Sequence, residues 1–254
     1  SNWQFAVNGT MEFPAASVAK VPVMMTAYHM SDLKELDLAQ KVVYKPSDKL
    51  GGAGVLQWMP PGKVFTIRHL MLYMIEVSDN TATKIEAETI GLDKINAYLR
   101  QINITQTRVT DPTMLKECPA ADVNLTTPLD MAHLMYRINN SHQTFSPASA
   151  KEMLIYLKRQ KYHWGIWRGV APGTVVADKT GHVDGVLNDV GIVYTKSGAY
   201  ILSVFTYGFT KKSQARIFIN DISRAVFEEY TGTKLPMKKI KKAKLRRKSR
   251  HARR

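Results

Sequence analysis

The stretch "FPAASVAKVPVMM", residues 13–25, decides how this chain is read. Pro14 and the small residues Ala15 and Ala16 lead into Ser17; behind it Val18, Val21, Val23, Met24 and Met25 are apolar enough for a buried helix, expected from Ser17 to about Met30. Ser17 and Lys20 lie three apart, so on a helix they share a face, one turn from each other. The ammonium then sits near the hydroxyl, at the end where backbone N–H groups are unpaired. A serine hydroxyl is a poor nucleophile until a base takes its proton, and a desolvated lysine does that. A helix cap beside a snorkelling lysine has the same spacing. Ser31 and Lys34 in "SDLKEL" repeat it, at what reads as an ordinary exposed helix start. The four residues need the rest of the chain to be understood.

Toward the N-terminus, "NWQFAVNGTMEF" alternates around Asn8-Gly9 and predicts a β-hairpin. On the other side, "SDLKELDLAQKV" predicts a second helix, and "KLGGAGVLQWMPPGK", with Pro60 and Pro61, a turn-rich loop. "TIRHLMLYMIEV", 66–77, is apolar at helical spacing with Thr66 as cap, and "TATKIEAETIGLDKINAYLRQI" carries one or two helices broken near Gly91. Residues 103–127 show no clear period and include Pro112 and Pro119; so long an irregular connection is often functional. Thr127-Pro128 opens the helix "LDMAHLMYRI", and "SPASAKEMLIYLKRQ" is another. The pattern then changes. "GTVVADKTGHV", "NDVGIVYTKSG" and "AYILSVFTYGF" are β-branched, glycine-bounded runs that predict three antiparallel strands, and "SQARIFINDISRAVFEEYTG" is an amphipathic helix. The fold class this predicts is α+β: one antiparallel sheet drawn from both ends, about 1–30 and 170–232, flanked by helices, with an all-helical lobe over about 31–169 inserted.

Composition bounds the partners. With 254 residues, 44% of them hydrophobic, residues 1–237 suffice for one large core or two interlocked lobes. No run of eighteen apolar residues predicts a membrane-spanning helix, and no signal peptide is read at the start. One cysteine, Cys118, excludes an intrachain disulfide and any cysteine-based metal cluster, and no metal or cofactor is expected. Of the net charge of +15, eleven Lys and Arg with no acid lie in 238–254, "KKIKKAKLRRKSRHARR", which leaves +4 on the body. That tail has little to bury and reads as a disordered polybasic arm, suited to a polyanion such as nucleic acid or acidic wall polymer, or to an anionic membrane surface; a solvated end without a specific partner fits as well. A DNA-binding role for the body has little support at +4.

Two further motifs give Ser17 and Lys20 their context. "VSDNTAT" places Ser78, Asp79 and Asn80 just after an apolar helix, and "ADKTGHV" places Lys179, Thr180 and Gly181 on the first late strand. Lys196-Ser197-Gly198 is a decoy of the latter, in a hairpin turn. The ordered set S-x-x-K, S-D-N, K-T-G, each in its setting, is the specific signal. From Phe13 to Gly232 the chain resembles the class A β-lactamase family, within the penicillin-recognising serine enzymes. The gaps of 61 residues from Ser17 to Ser78 and 101 from Ser78 to Lys179 suit that family, as do "SDNTAT" and "LTTPLDMA". The resemblance implies a five-stranded antiparallel sheet and an all-helical lobe with the active site between them. It also implies two strands ahead of the nucleophile, where this chain has room for little more than one.

By that resemblance Ser17 is the acylated nucleophile and Lys20 takes its proton, directly or through water. Ser78 passes a proton to the leaving nitrogen, with Lys179 holding that path electrostatically. Asn80 binds the substrate amide side chain and orients Lys20, while Lys179 and Thr180 hold the substrate carboxylate. On the strand beyond Gly181, His182 supplies its backbone N–H, with that of Ser17, to an oxyanion hole; its side chain is expected to be solvated at the rim. Without the family name the set still fits acyl transfer: nucleophile, base, proton donor and anion recognition. None of the seven histidines stands in a nucleophile elbow, which speaks against a Ser-His-Asp hydrolase.

The departure from the family is in the irregular loop, "TRVTDPTMLKECPAADVNLTTP", which is about two residues short and lacks the E-x-x-x-N whose glutamate activates the deacylating water. Counting back from Pro128 aligns Asp111 with that glutamate; counting forward from Thr107-Arg108 reaches Thr113, and Glu117 is a further candidate. An Asx turn before Pro112 explains Asp111 equally well. The expected activity is a serine β-lactamase-like hydrolase with slow deacylation. The alternatives are a D-alanyl-D-alanine carboxypeptidase or transpeptidase acting on peptidoglycan peptides, and a non-catalytic penicillin-binding wall-associated module. The family's substrates imply an exported protein, periplasmic, extracellular or at the cell envelope; a monomer is expected.

Overall fold

The computed structural model describes residues 4–115, 123–140 and 144–236. Glu117, Cys118 and the polybasic tail lie outside the described residues. Strand β1 (Phe13–Pro14) leads into a 3-10 turn, Ala16–Ala19, and then α1 (Lys20–Asp32). Short strands β2 (Lys41–Val43) and β3 (Val64–Thr66) precede α2 (Ile67–Glu76), α3 (Asn80–Ile90) and α4 (Leu92–Gln101). After β4 (Leu125–Thr126) come α5 (Pro128–Asn139) and α6 (Pro147–Lys158), then the long strands β5 (Val175–Val183), β6 (Val186–Thr195) and β7 (Gly198–Tyr207), and finally α7 (Lys212–Thr231).

Helix α1 is buried on nearly every side, with Val21, Val23, Met24, Met25 and Tyr28 at 0–1% exposure. A helix apolar all round belongs in a core, and α1 touches each of α2 through α6. The predicted helix caps are in place. Thr66 accepts from His69 N and Thr127 from Asp130 N, with Pro128 in the first turn. Gly91, at φ +90, divides α3 from α4. The sheet β5-β6-β7 is antiparallel throughout and lies between α5 and α6 on one face and α7 on the other. Ala215, Ile219, Ser223 and Phe227, four apart on α7, form its buried stripe; Ala215, Ile219 and Phe227 pack against the sheet, and Ser223 Oγ donates to Ile166 O at 2.8 Å.

Three expectations are corrected. Residues 4–12 form turns, not a hairpin, and leave Phe5 and Val7 exposed; alternation without a covering face does not hold a strand. β1 pairs with β4 and not with the long sheet, which has three strands among the described residues; the N-terminal chain touches that sheet through side chains, Phe13 meeting Phe205 at 5.6 Å between ring centroids. The second helix predicted over "SDLKELDLAQKV" is absent, because α1 runs through Ser31 to Asp32 and the chain reverses at Lys34, φ +62. Ser31 therefore ends a helix; it does not begin one.

Candidate active site

Ser17 stands on the 3-10 turn, partly exposed, with Ala16 before it at φ +48, a conformation costly for a residue with a Cβ. Neighbours hold that turn. Ala15 N donates to Asn124 O at 2.7 Å, and Asn188 Nδ2 on β6 donates to Pro14 O at 2.9 Å. The K-T-G strand presses against it: a Cβ on Gly181 would lie 3.0 Å from Ala15 O and 3.2 Å from Val18 N. Glycine at 181 thus lets the β5 backbone approach the turn that carries Ser17. Next along β5, the side chain of His182 is exposed, as expected.

The three motifs meet at Ser78. Lys20 Nζ donates to Ser78 O at 2.7 Å, to Ser78 Oγ at 3.0 Å and to Asn80 Oδ1 at 2.9 Å. Lys179 Nζ donates to Ser78 Oγ at 3.0 Å and to Thr180 O at 2.8 Å. Ser78 Oγ therefore accepts from both lysines and keeps its own proton to donate. Ser78 sits at φ +53, a second strained position in the same cluster. Both lysines are fully buried. Burial, and then the charge of Lys179, push Lys20 well below the ordinary lysine range, while Asp79 opposes them. Burial lowers Lys179 to about 7, against the pull of Asp178 and Asp189. A lysine depressed in this way has a larger neutral fraction at a given pH, and the neutral amine is the form a general base requires.

Asp79, to which the sequence reading gave no role, organises the site wall. Its carboxylate caps α3 through Ala82 N at 2.9 Å and accepts from Val55 N at 2.6 Å and Leu56 N at 2.8 Å. Asn80 reaches the same loop, donating from Nδ2 to Gly51 O at 3.0 Å. Gly54 has no room for a side chain, since its Cβ would lie 2.4 Å from Asp79 Cα. The glycine cluster in "KLGGAGVLQW" was the available signal; its meaning depended on where Asp79 would lie. Tyr162, also unforeseen, donates from its hydroxyl to Val77 O at 3.2 Å, and Lys161 N donates to Glu76 O at 3.0 Å, so the 160–163 turn is fastened beside Ser78. Glu76 is paired with Lys161 at 2.9 Å and Arg159 at 3.2 Å.

Asp111 is placed differently. It is buried at the neck of the long loop, where Asn124 spans the two sides: Thr110 N and Asp111 N donate to Asn124 Oδ1 at 2.7 and 2.9 Å, and Asn124 Nδ2 donates to Asp111 O at 2.9 Å. Its carboxylate accepts from Thr113 N at 3.0 Å, Thr113 Oγ1 at 2.6 Å and Leu115 N at 3.1 Å. That is the turn geometry an aspartate before proline adopts. The loop nevertheless borders the site, for a Cβ on Gly52 would lie 2.9 Å from Asn80 Nδ2 and 3.9 Å from Leu115 Cδ2.

Comparison with known proteins gives the family and the fold. The model of the "Beta-lactamase enzyme family" matches residues 1–230. The chain is 25% identical over 248 residues to β-lactamase VEB-1 of Pseudomonas aeruginosa, covering 88% of this chain and 80% of that protein. It is 30% identical over 239 residues to a β-lactamase of Bacteroides uniformis, covering 87% and 80%. Among solved structures, a β-lactamase from Sphaerobacter thermophilus superposes with a TM-score of 0.85 at 30% identity over 90% of this chain and 88% of that one. An ancestral class A β-lactamase shares the fold at a TM-score of 0.82 and 24% identity, covering 89% and 88%.

Proposed function

Because the chain belongs to the β-lactamase enzyme family and is a β-lactam hydrolase of that kind, we propose that it opens the β-lactam amide through an acyl-enzyme on Ser17 and releases the acyl group slowly. The observation that carries the reading is the hydrogen-bonded chain Lys20–Ser78–Lys179. Neutral Lys20 takes the Ser17 proton as Oγ attacks the lactam carbonyl carbon. The oxyanion is met by the backbone N–H groups of Ser17 and His182, preorganised donors that need no rearrangement. When the C–N bond breaks, Ser78 gives its proton to the nitrogen, and Lys20, now protonated and hydrogen-bonded to Ser78, restores it. Lys179 and Thr180 hold the substrate carboxylate, and Asn80 the amide side chain.

The slow second half follows from the loop. The loop lacks the family's E-x-x-x-N, Glu117 lies outside the described residues, and the carboxylate that counting back from Pro128 aligns with the glutamate, Asp111, accepts three hydrogen bonds from Thr113 and Leu115. A water-activating base misplaced by about 1 Å costs about a hundredfold. Export to the periplasm or cell envelope, and salt-sensitive binding of residues 238–254 to polyanions, complete the reading. Intact mass followed over time after penicillin addition tests it: a stoichiometric adduct appears in a burst and decays slowly, and Ser17→Ala forms none. An undiminished adduct in that variant would remove Ser17 from the mechanism.

A further inference from the structure

Ser78 stands in a short link, residues 77–79, between the end of α2 and the start of α3. The link begins where α2 runs out of partners, because the last carbonyls of a helix have no N–H four residues on to accept from. Two of these carbonyls are met by one turn from a distant part of the chain. Lys161 N donates to Glu76 O at 3.0 Å, and the Tyr162 hydroxyl donates to Val77 O at 3.2 Å. The Glu76 side chain is gripped by the same turn, Oε1 by Lys161 Nζ at 2.9 Å and Oε2 by Arg159 Nη2 at 3.2 Å. A carboxylate at the negative end of a helix is unfavourable alone, and the two cations reverse that. The turn is braced in its own right. Gln160, 1% exposed, accepts through Oε1 from Lys161 N at 2.9 Å and Tyr162 N at 3.2 Å. Beyond it the chain runs through Ile166–Gly169 into β5 and Lys179.

The link needs such a grip. Ser78 holds φ +53, and a left-handed backbone at a residue with a Cβ persists only where its surroundings over-determine it. Lys20 Nζ on Ser78 O at 2.7 Å, Asp79 N on Tyr73 O at 3.1 Å and Asn80 N on Ala53 O at 3.1 Å fix the link at and after Ser78. The residues just before it are fixed by the 159–162 turn. We infer that Glu76, Arg159, Lys161 and Tyr162 form a clasp of positioning residues that keeps Ser78 Oγ between Lys20 and Lys179. The Oγ lies 3.0 Å from each Nζ, and the two lysines come from different elements, α1 and β5. A shift of the link therefore lengthens at least one of the two bonds. What suffers is the proton that Ser78 gives to the leaving nitrogen and recovers from Lys20, so the inference rests on the acylation reading above. Arg159 and Lys161 are half-exposed, at 53% and 58%, and breaking their ion pairs costs the fold little.

Two variants of the full chain test the clasp: Glu76→Gln removes its ion pairs, and Tyr162→Phe removes one hydroxyl. Hydrogen exchange reports the link without any chemistry. The amides of Asp79 and Asn80 are expected to exchange about tenfold faster in each variant, while those in the middle of α2 and α3 keep their rates. Wild-type exchange at both amides in both variants would overturn the inference. The second readout is acylation by two donors, a penicillin, whose leaving nitrogen needs the Ser78 proton, and an acyl p-nitrophenyl ester, whose phenolate leaves without one. At saturation the penicillin rate is expected to fall about tenfold with its half-saturating concentration little changed, and the burst of p-nitrophenolate to keep its rate. Equal losses for both donors would mean that the variants loosen the whole cleft, and would remove the specific role. If Glu76→Gln fails to fold, Tyr162→Phe decides both readouts. A wild type that forms no adduct with either donor would sink the acylation reading, while exchange at Asp79 and Asn80 would still decide whether the clasp holds the link.

Discussion

The cleft around Ser78 and the loop around Asp111 are both built from buried polar groups, but they spend their hydrogen bonds in opposite ways. At Ser78 the bonds join residues 58, 60 and 101 positions apart, so that α1, the start of α3 and β5 are held to one another. At Asp111 the carboxylate bonds residues two and four positions on, and the neck is closed by Asn124, thirteen away. The first arrangement fixes elements against each other, as a reaction centre needs. The second fixes a loop upon itself. On the proposed reading the first centre carries acylation, and the second is the loop that lacks the family's E-x-x-x-N.

The contrast has a clear order of consequences. Lys20→Ala should slow adduct formation most, by at least about a hundredfold, the lower range for general-base catalysis; stopped mixing with mass detection measures it, and a near-normal rate would break the picture of the cleft as the acylating centre. Lys179→Ala should weaken carboxylate-bearing β-lactams more than their esters, about tenfold or more, as expected for loss of a charge-assisted contact. Equal losses for acid and ester would move the anion site elsewhere. In the loop, Asp111→Asn and Thr113→Ala should both lengthen the adduct lifetime and leave its formation unchanged, because each loosens the same turn. If only Asp111→Asn does so, the carboxylate is itself the base and the loop is not merely self-braced.

The smallest effect lies on α3, whose start and middle repeat the contrast. Asn80 is bonded to Lys20, whereas Glu86, fully buried, has no partner for either oxygen among the described residues. Burial pushes Glu86 well above the ordinary carboxylate range, so it keeps its proton to higher pH in the fold than when unfolded. Its folded pKa exceeds the unfolded one; the protein is therefore penalised increasingly as pH rises above the ordinary carboxylate range. Glu86→Met should change stability little at pH 4 and raise it by about 1–3 kcal/mol at pH 8, read from unfolding at the two pH values. A gain equal at both would mean that the effect is packing and not charge.

Much of this was legible in the chain itself. Apolar periodicity and caps such as Thr66 and Thr127 located most helices, and β-branched runs located β5, β6 and β7, because these signals act over a few residues and the tertiary environment agreed with them. The decoy Lys196-Ser197-Gly198 was separable from Lys179-Thr180-Gly181 by its place in a turn. The N-terminal hairpin and the helix after Ser31 were misread, since alternation and capping residues report what a segment tolerates, not whether a partner strand or a covering face is there.

For the site, sequence by itself determined the kinds of groups and their order: a serine three before a lysine, a second serine before an asparagine, and a lysine on a strand ahead of a threonine and a glycine. Tertiary structure decided what each one bonds. It put Ser78 between two fully buried lysines, gave Asp79 the loop of Gly51–Leu56 to hold, turned the carboxylate of Asp111 into its own loop, and buried Asp178 and Asp189 on the face of the sheet opposite Lys179. The physical reason is that a residue's type fixes which hydrogen bonds and charges it can offer, whereas burial and the choice of partner, which set its protonation, arise only when distant elements close around it.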